Sequence, residues 1–261
     1  MPESRGLTFG SLFAGIGGFD LGFERAGMVC KWQVEIDDYA NRVLAKHWPN
    51  VHRERDIREC GARNLEAVDV ICGGFPCQDI SLAGDGAGID GTRSGLWSEY
   101  ARIVRELGPR FVIVENVAAL LIRGFDRVLG TLANLGYDAE WSCVSACSMG
   151  APHSRDRMFI VANRREVGRY RSGRNTDGKH GVHRRLDNWK AAKGGSEWRD
   201  VECWIKSIME DGGGIIPASE RGGMADGVPN RLDRIGGCGN AVVPQIAELI
   251  GRQVVAYFGD Q

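Results

Sequence analysis

The chain has 261 residues, 43% of them hydrophobic and 26% charged, with 33 Lys and Arg against 34 Asp and Glu. This is the composition of an ordinary globular protein and excludes a disordered or disulfide-built chain. No run of about 18 apolar residues occurs, which excludes a transmembrane helix.

The first residues, MPESRGLTFG, lack the basic and apolar regions of a signal peptide, so a cytoplasmic location is expected. The eight cysteines (30, 60, 72, 77, 143, 147, 203 and 238) contain no CxxC pair. Reduced thiols and no metal site are therefore expected.

The first predicted strand is LTFGSLF. A glycine-rich turn, Ala14 to Phe19, converts it into a helix through DLGFERAG. KWQVE predicts a second strand ending at Glu35, followed by a helix with Tyr39, Val43, Leu44 and Trp48 on one face. An extended piece around Val51 leads to Asp56 and Ile57. The apolar run Val68–Cys72 then reads as a buried strand, broken by two glycines.

A glycine-rich loop follows, and apolar residues at helical spacing mark Leu96–Leu107. RFVIVENV predicts a further buried strand. Phe125, Val128, Leu129, Leu132 and Leu135 line a helix, and WSCVSA and RMFIVA close the sheet. Periodicity fades from 163 to about 234. It resumes in a last helix through Val243, Ile246, Ile250 and Val254.

Alternating strands and helices, with the strands almost wholly apolar, predict an α/β fold: a mostly parallel sheet with helices on both faces. Residues 1–162 are expected to form this domain and 163–234 a short basic lobe, with 235–261 returning to the domain. Between 163 and 193 ten Lys and Arg face three acids. That imbalance fits a nucleic-acid footprint and equally fits a solvated loop.

Three places carry chemistry. The turn FAGIGG after a strand is suited to cradling a nucleotide at a helix N-terminus, although it is not GxGxxG. Glu35 ends the next strand, where a carboxylate binds a ribose diol, and Asp56 ends the one after, within reach of an adenine amino group with Ile57 beside the ring. Two acids repel phosphates, which favours S-adenosylmethionine over a dinucleotide.

Cys77, in GGFPCQDI, sits just past a strand end instead of inside the apolar run as Cys72 does. A thiolate there is a candidate nucleophile. Glu115, in ENV, ends a strand expected to be adjacent. A half-buried glutamate there could hold a proton near neutral pH.

FAGIGGF, GGFPCQ, ENV, RDR after SMGAPH, and GNAVVPQ stand in the order found in DNA cytosine-5 methyltransferases, of the small bacterial or phage type. The resemblance spans the chain except about 163–230. It implies a Rossmann-like, S-adenosylmethionine-dependent methyltransferase fold acting on double-stranded DNA, in the bacterial nucleoid or an infected host's cytoplasm, as a monomer. It implies Cys77 as the nucleophile towards cytosine C6, Glu115 on N3 and the 4-amino group, and Arg155 and Arg157 ordering the site. It further implies cofactor contacts from Phe13, Ala14, Gly15, Ile16, Gly17, Gly18, Glu35, Ile36, Asp56, Ile57, Gly74, Asn240 and Ala241. The target base would have to leave the duplex. The loop from about Ser81 to Gly95, with Arg93, resembles the flap that closes over it.

There are departures. His153 stands where the family usually has glutamine, and Arg55 replaces a glycine before Asp56. The 163–234 segment is short for a recognition domain, and Trp189, Trp198 and Trp204 in it are better suited to packing than to stacking on bases. The alternatives are an RNA cytosine-5 methyltransferase on the same scaffold, a silent DNA-binding relative, and an NAD oxidoreductase. The last leaves Cys77, Glu115 and Arg155 without a role.

Overall fold

A computed structural model describes residues 6–76, 95–122, 124–149, 156–165, 184–185 and 241–259. Eight strands form one sheet: β1 (Thr8–Leu12), β2 (Val29–Val34), β3 (His52–Glu54), β4 (Val70–Gly73), β5 (Phe111–Val117), β6 (Tyr137–Ser145), β7 (Asp156–Arg164) and β8 (Arg184–Arg185). Their spatial order is β3-β2-β1-β4-β5-β7-β6-β8. Every pairing is parallel except those of β7, which runs antiparallel to β5 and β6.

The α-helices are α1 (Gly18–Arg25), α2 (Asp38–His47), α3 (Gly95–Leu107), α4 (Phe125–Asn134) and α5 (Pro244–Gly259). The central strands β1, β4 and β5 are buried on both faces. In β5, Val112 and Val114 enter one core cluster with Trp97, Tyr100 and Ile103 of α3 and Val128 and Leu132 of α4. Phe111 and Ile113 enter the other, with Phe19 and Phe23 of α1 and Ile246, Ile250 and Val254 of α5. This period-2 division explains why the strand reads as an unbroken apolar run.

Two glycines make the α1–α5 contact possible. A Cβ on Gly22 would lie 2.5 Å from the Pro244 carbonyl oxygen, and one on Gly251 would lie 2.9 Å from the Ala26 Cβ. The final helix thus rests directly on the helix that opens from the glycine turn.

The predicted strand 68–72 begins two residues later than expected. The reason is Asp69, whose carboxylate accepts hydrogen bonds from the Thr8 N–H and Oγ1, both at 2.9 Å, and so ties the starts of β1 and β4. β1 is flanked by β2 and β4. The chain therefore runs outward in opposite directions from β1, leaving a crevice at the carboxyl ends where such sheets bind ligands.

The proposed 163–234 lobe lies almost wholly outside the described residues. Its described part includes Arg184 and Arg185, which pair with Glu140 and Trp141 of β6 as a short edge strand. No helix among the described residues is long and apolar enough to cross a membrane.

Candidate active site

The crevice is built first from the turn after β1. Phe13 adopts φ 51°, the only non-glycine with positive φ among the described residues, and Gly15 and Gly17 take φ 56° and 90°. The Ala14 N–H donates to the Val34 carbonyl at 3.1 Å and the Gly17 N–H to the Ala14 carbonyl at 3.0 Å, folding the turn against β2. Glycine is needed at 17 on a second ground: a Cβ there would lie 2.4 Å from the Trp48 ring. Above Gly15 there is open space. α1 then starts without a side-chain cap from Gly17. Ile16 lies within this turn, partly buried.

Glu35 closes the next side. Its Oε2 accepts the Gly15 N–H at 2.7 Å and its Oε1 the Asp37 N–H at 2.8 Å. The carboxylate is thereby fixed beside the glycine turn. Ile36 is 61% exposed and offers an apolar surface. Ile57, by contrast, is buried in the core.

Asp56 caps the short 3₁₀ turn Ile57–Glu59 and is gripped by Arg58. The Arg58 guanidinium holds its carboxyl below the usual carboxylate range. Arg55, the departure from the expected glycine, donates through Nη2 to the Ile36 carbonyl and to Asp38 Oδ1, both at 2.5 Å. It joins the ends of β2 and β3.

Beneath the turn lies a buried polar group that the sequence did not single out. Asp20 of α1 accepts hydrogen bonds from Gln33 Nε2 at 2.8 Å, Ser11 Oγ at 3.2 Å and Cys30 Sγ at 3.5 Å. Burial pushes its carboxyl up to about 6, against the lowering effect of those donors.

The second half of the crevice lies at the ends of β4 and β5. Glu115 is 7% exposed and pairs with Arg157 Nε at 2.9 Å. The registry accounts for the contact: Glu115 opposes Phe159, so Arg157 is its diagonal neighbour on the same face of β7. Gly74 leaves room for that carboxylate, since a Cβ there would lie 2.6 Å from Glu115 Oε2.

Asn116, also not singled out from the sequence, is buried and donates through Nδ2 to the Phe75 carbonyl at 2.9 Å. It fastens the turn two residues before Cys77 to the end of β5. A row of rings supports both halves: Phe75 lies 5.1 Å from Trp97, Trp97 5.4 Å from Tyr100, and Tyr100 stacks on Phe13 at 6.5 Å.

Cys77 itself, Arg155, Asn240, His153 and the loop 81–94 lie outside the described residues. Ala241 is described, and the adjoining Val242 shows how its segment reaches the site: a Cβ on Gly18 would lie 2.2 Å from the Val242 carbonyl oxygen. The last motif therefore runs against the first. Of the other cysteines, burial pushes the Cys72 thiol well above its usual range and the Cys60 thiol up to about 12. Both are inert. Among the described residues no group of three or more His, Cys, Asp and Glu side chains could hold a metal ion.

The family model for C-5 cytosine-specific DNA methylase matches residues 7–194. Type II methyltransferase M.HhaI of Haemophilus parahaemolyticus is 33% identical over 166 residues, covering 62% of this chain and 50% of that protein. M.Eco47II of Escherichia coli is 39% identical over 163 residues, covering 60% and 39%. M2.BsuMI of Bacillus subtilis is 36% identical over 161 residues, covering 59% and 41%.

The matched part thus spans about half or less of the length of these relatives. Among solved structures, a candidate DNA modification methyltransferase encoded within an E. coli prophage superposes with TM-score 0.52 at 30% identity, covering 60% of this chain and 47% of that one. The S. pombe Dnmt2 methyltransferase superposes with TM-score 0.55 at 18% identity, covering 75% and 58%, and bears on the fold alone. With a family model matched over most of its length, the chain belongs to the C-5 cytosine-specific DNA methylases.

Proposed function

We propose that the chain methylates C5 of cytosine in double-stranded DNA, with S-adenosylmethionine as donor and Cys77 as nucleophile. The observation that carries this reading is the pairing of Glu115 with Arg157 beside Gly74, three residues before Cys77 and in the same crevice as the glycine turn. The Type II methyltransferase names of its relatives support the substrate class.

S-adenosylmethionine fits the first half of the crevice on chemistry. A carboxylate anchored by two backbone N–H groups keeps lone pairs for a ribose diol. The same charge disfavours a pyrophosphate. The exposed Ile36 suits the face of an adenine ring, and the uncapped start of α1 suits the carboxylate of the amino-acid part. Glu35, Ile36, the turn Phe13–Gly18, Asp56 and the segment Asn240–Ala241 would hold it.

The chemistry asked of the protein follows from the base. C5 of cytosine is a weak nucleophile and lies out of reach inside a duplex, so the base has to be flipped into the crevice. The Cys77 thiolate adds to C6, which makes C5 enamine-like. Glu115 holds N3 and the 4-amino group and takes up the charge that develops there. Arg157 fixes the Glu115 carboxylate, and Arg155, on the same chain segment, is assigned to the base oxygen. Bound S-adenosylmethionine supplies the electrophilic methyl carbon that C5 accepts. Loss of the C5 proton and expulsion of the thiolate restore the ring.

A duplex carrying 5-fluorocytosine blocks that proton loss and should leave protein and DNA covalently joined. We expect the wild-type chain to shift on a denaturing gel when the cofactor is present and Cys77→Ala not to shift. An equal shift for both would assign the nucleophile elsewhere.

A further inference from the structure

Asp56 has most of its hydrogen-bonding capacity taken by one neighbour. Arg58 Nε reaches Oδ1 at 2.9 Å and Oδ2 at 3.0 Å, Nη2 reaches Oδ2 at 2.6 Å, and the Arg58 backbone N–H reaches Oδ1 at 3.0 Å. A carboxylate offers about four acceptor sites. The Nε–H is shared between both oxygens, so three hydrogens of one residue take up most of that capacity, and an incoming amino group competes with the guanidinium fork for what remains.

We infer that Arg58 is a self-ligand of the adenine end of the cofactor cleft, which competes with an exocyclic amino group for the Asp56 carboxylate. This inference rests on the cofactor reading above. It adds a residue that sets affinity and base selectivity without being required for the cleft to form.

The surroundings favour release of the arginine over movement of the aspartate. The Asp56 side chain is 22% exposed and is held by its capping bond to the Arg58 N–H, whereas the Arg58 side chain is 65% exposed. The wall opposite is fixed separately, because Arg55 ties the Ile36 carbonyl and Asp38 to this segment. Glu59 and Glu99 both favour the charged form of Arg58, so a released guanidinium remains in a negative field. Glu99 is itself engaged by Arg102 at 2.6 Å, which keeps it from replacing Asp56 as a full partner. The equilibrium therefore lies between a fork on Asp56 and a solvated arginine near two acids. A small ligand contact can tip it.

The ligand that tips it is defined by chemistry: a purine with a hydrogen-bond donor at position 6. A purine lacking that donor binds without displacing Arg58 and gains nothing from its removal. Competition by an exposed pair of good geometry corresponds to roughly two- to fivefold in affinity. It should fade as salt shortens the screening length to about 3 Å near 1 M.

The test is calorimetric titration of the full chain with S-adenosylhomocysteine and with its analogue bearing hydrogen in place of the 6-amino group. Arg58→Ala should tighten S-adenosylhomocysteine roughly two- to fivefold and leave the analogue unchanged, with the difference shrinking at high salt. Arg58→Lys, which keeps the charge without the fork, should fall between. Weaker binding of both ligands by Arg58→Ala would make the arginine a structural support and overturn the inference. So would unchanged affinity for S-adenosylhomocysteine. Failure of the wild-type chain to bind S-adenosylhomocysteine at all would overturn the cofactor reading, and this inference with it.

Discussion

Glu115 owes its place to two residues far from it in sequence, Gly74 and Arg157. Gly74→Ala should drive the carboxylate out of position, because the added methyl meets it at 2.6 Å. Methyl transfer should fall by about two orders of magnitude, the scale of a lost charge-stabilising group, while S-adenosylhomocysteine binding stays within a factor of a few. Loss of binding in that variant would place Gly74 in the cofactor contact instead. Asn116→Ala removes a buried bond to the Phe75 carbonyl and leaves that oxygen without its side-chain donor. A destabilisation of about 1–3 kcal/mol in urea unfolding is expected, with a fall in kcat larger than any change in cofactor affinity. Glu35, Glu115 and the glycine turn were legible in the sequence because each stands at the end of an apolar run. Asn116 and Arg58 were not, since their roles depend on which strand end lies opposite and no local pattern encodes that.

At the scale of elements, the contact of α5 with α1 joins the two ends of the described chain. Gly22→Val would set a branched side chain where even a Cβ falls 2.5 Å from the Pro244 carbonyl oxygen and the Ala247 Cβ. Overpacking of this kind costs about 1–3 kcal/mol. Because Val242 abuts Gly18, the displacement should also weaken cofactor binding, measurable by titration alongside thermal unfolding. If only stability changed, the last segment would be a brace and not part of the cleft. The existence of β1, β2 and β4 to β7 was readable from hydrophobic runs. The reversal of β7 was not, because an apolar run carries no direction. The reversal matters to the site: the antiparallel registry of β5 and β7 brings Arg157 onto the face of Glu115.

For the whole molecule, the buried Asp20 makes stability depend on pH in a direction opposite to that of most carboxylates. Its folded value is raised from 3.8 to about 6, so the folded state binds the proton more tightly than the unfolded chain. This group's contribution is therefore greatest below about pH 4, declines as pH rises to about 6, and is flat above, a change on the order of 3 kcal/mol. Asp20→Asn should remove that slope. The comparison is urea unfolding of wild type and variant at several pH values across that window, and parallel curves would contradict the assignment. The described part of the chain carries the core of the family's fold on about half the length of its relatives, or less.

The most direct test of the central claim is transfer of labelled methyl from S-adenosylmethionine to duplex DNA, followed by base-resolution mapping of 5-methylcytosine. The account predicts label at C5 of cytosines in a fixed short context and none with Cys77→Ala. Label on transfer RNA and not on DNA, or cofactor binding without transfer to any nucleic acid, would contradict it.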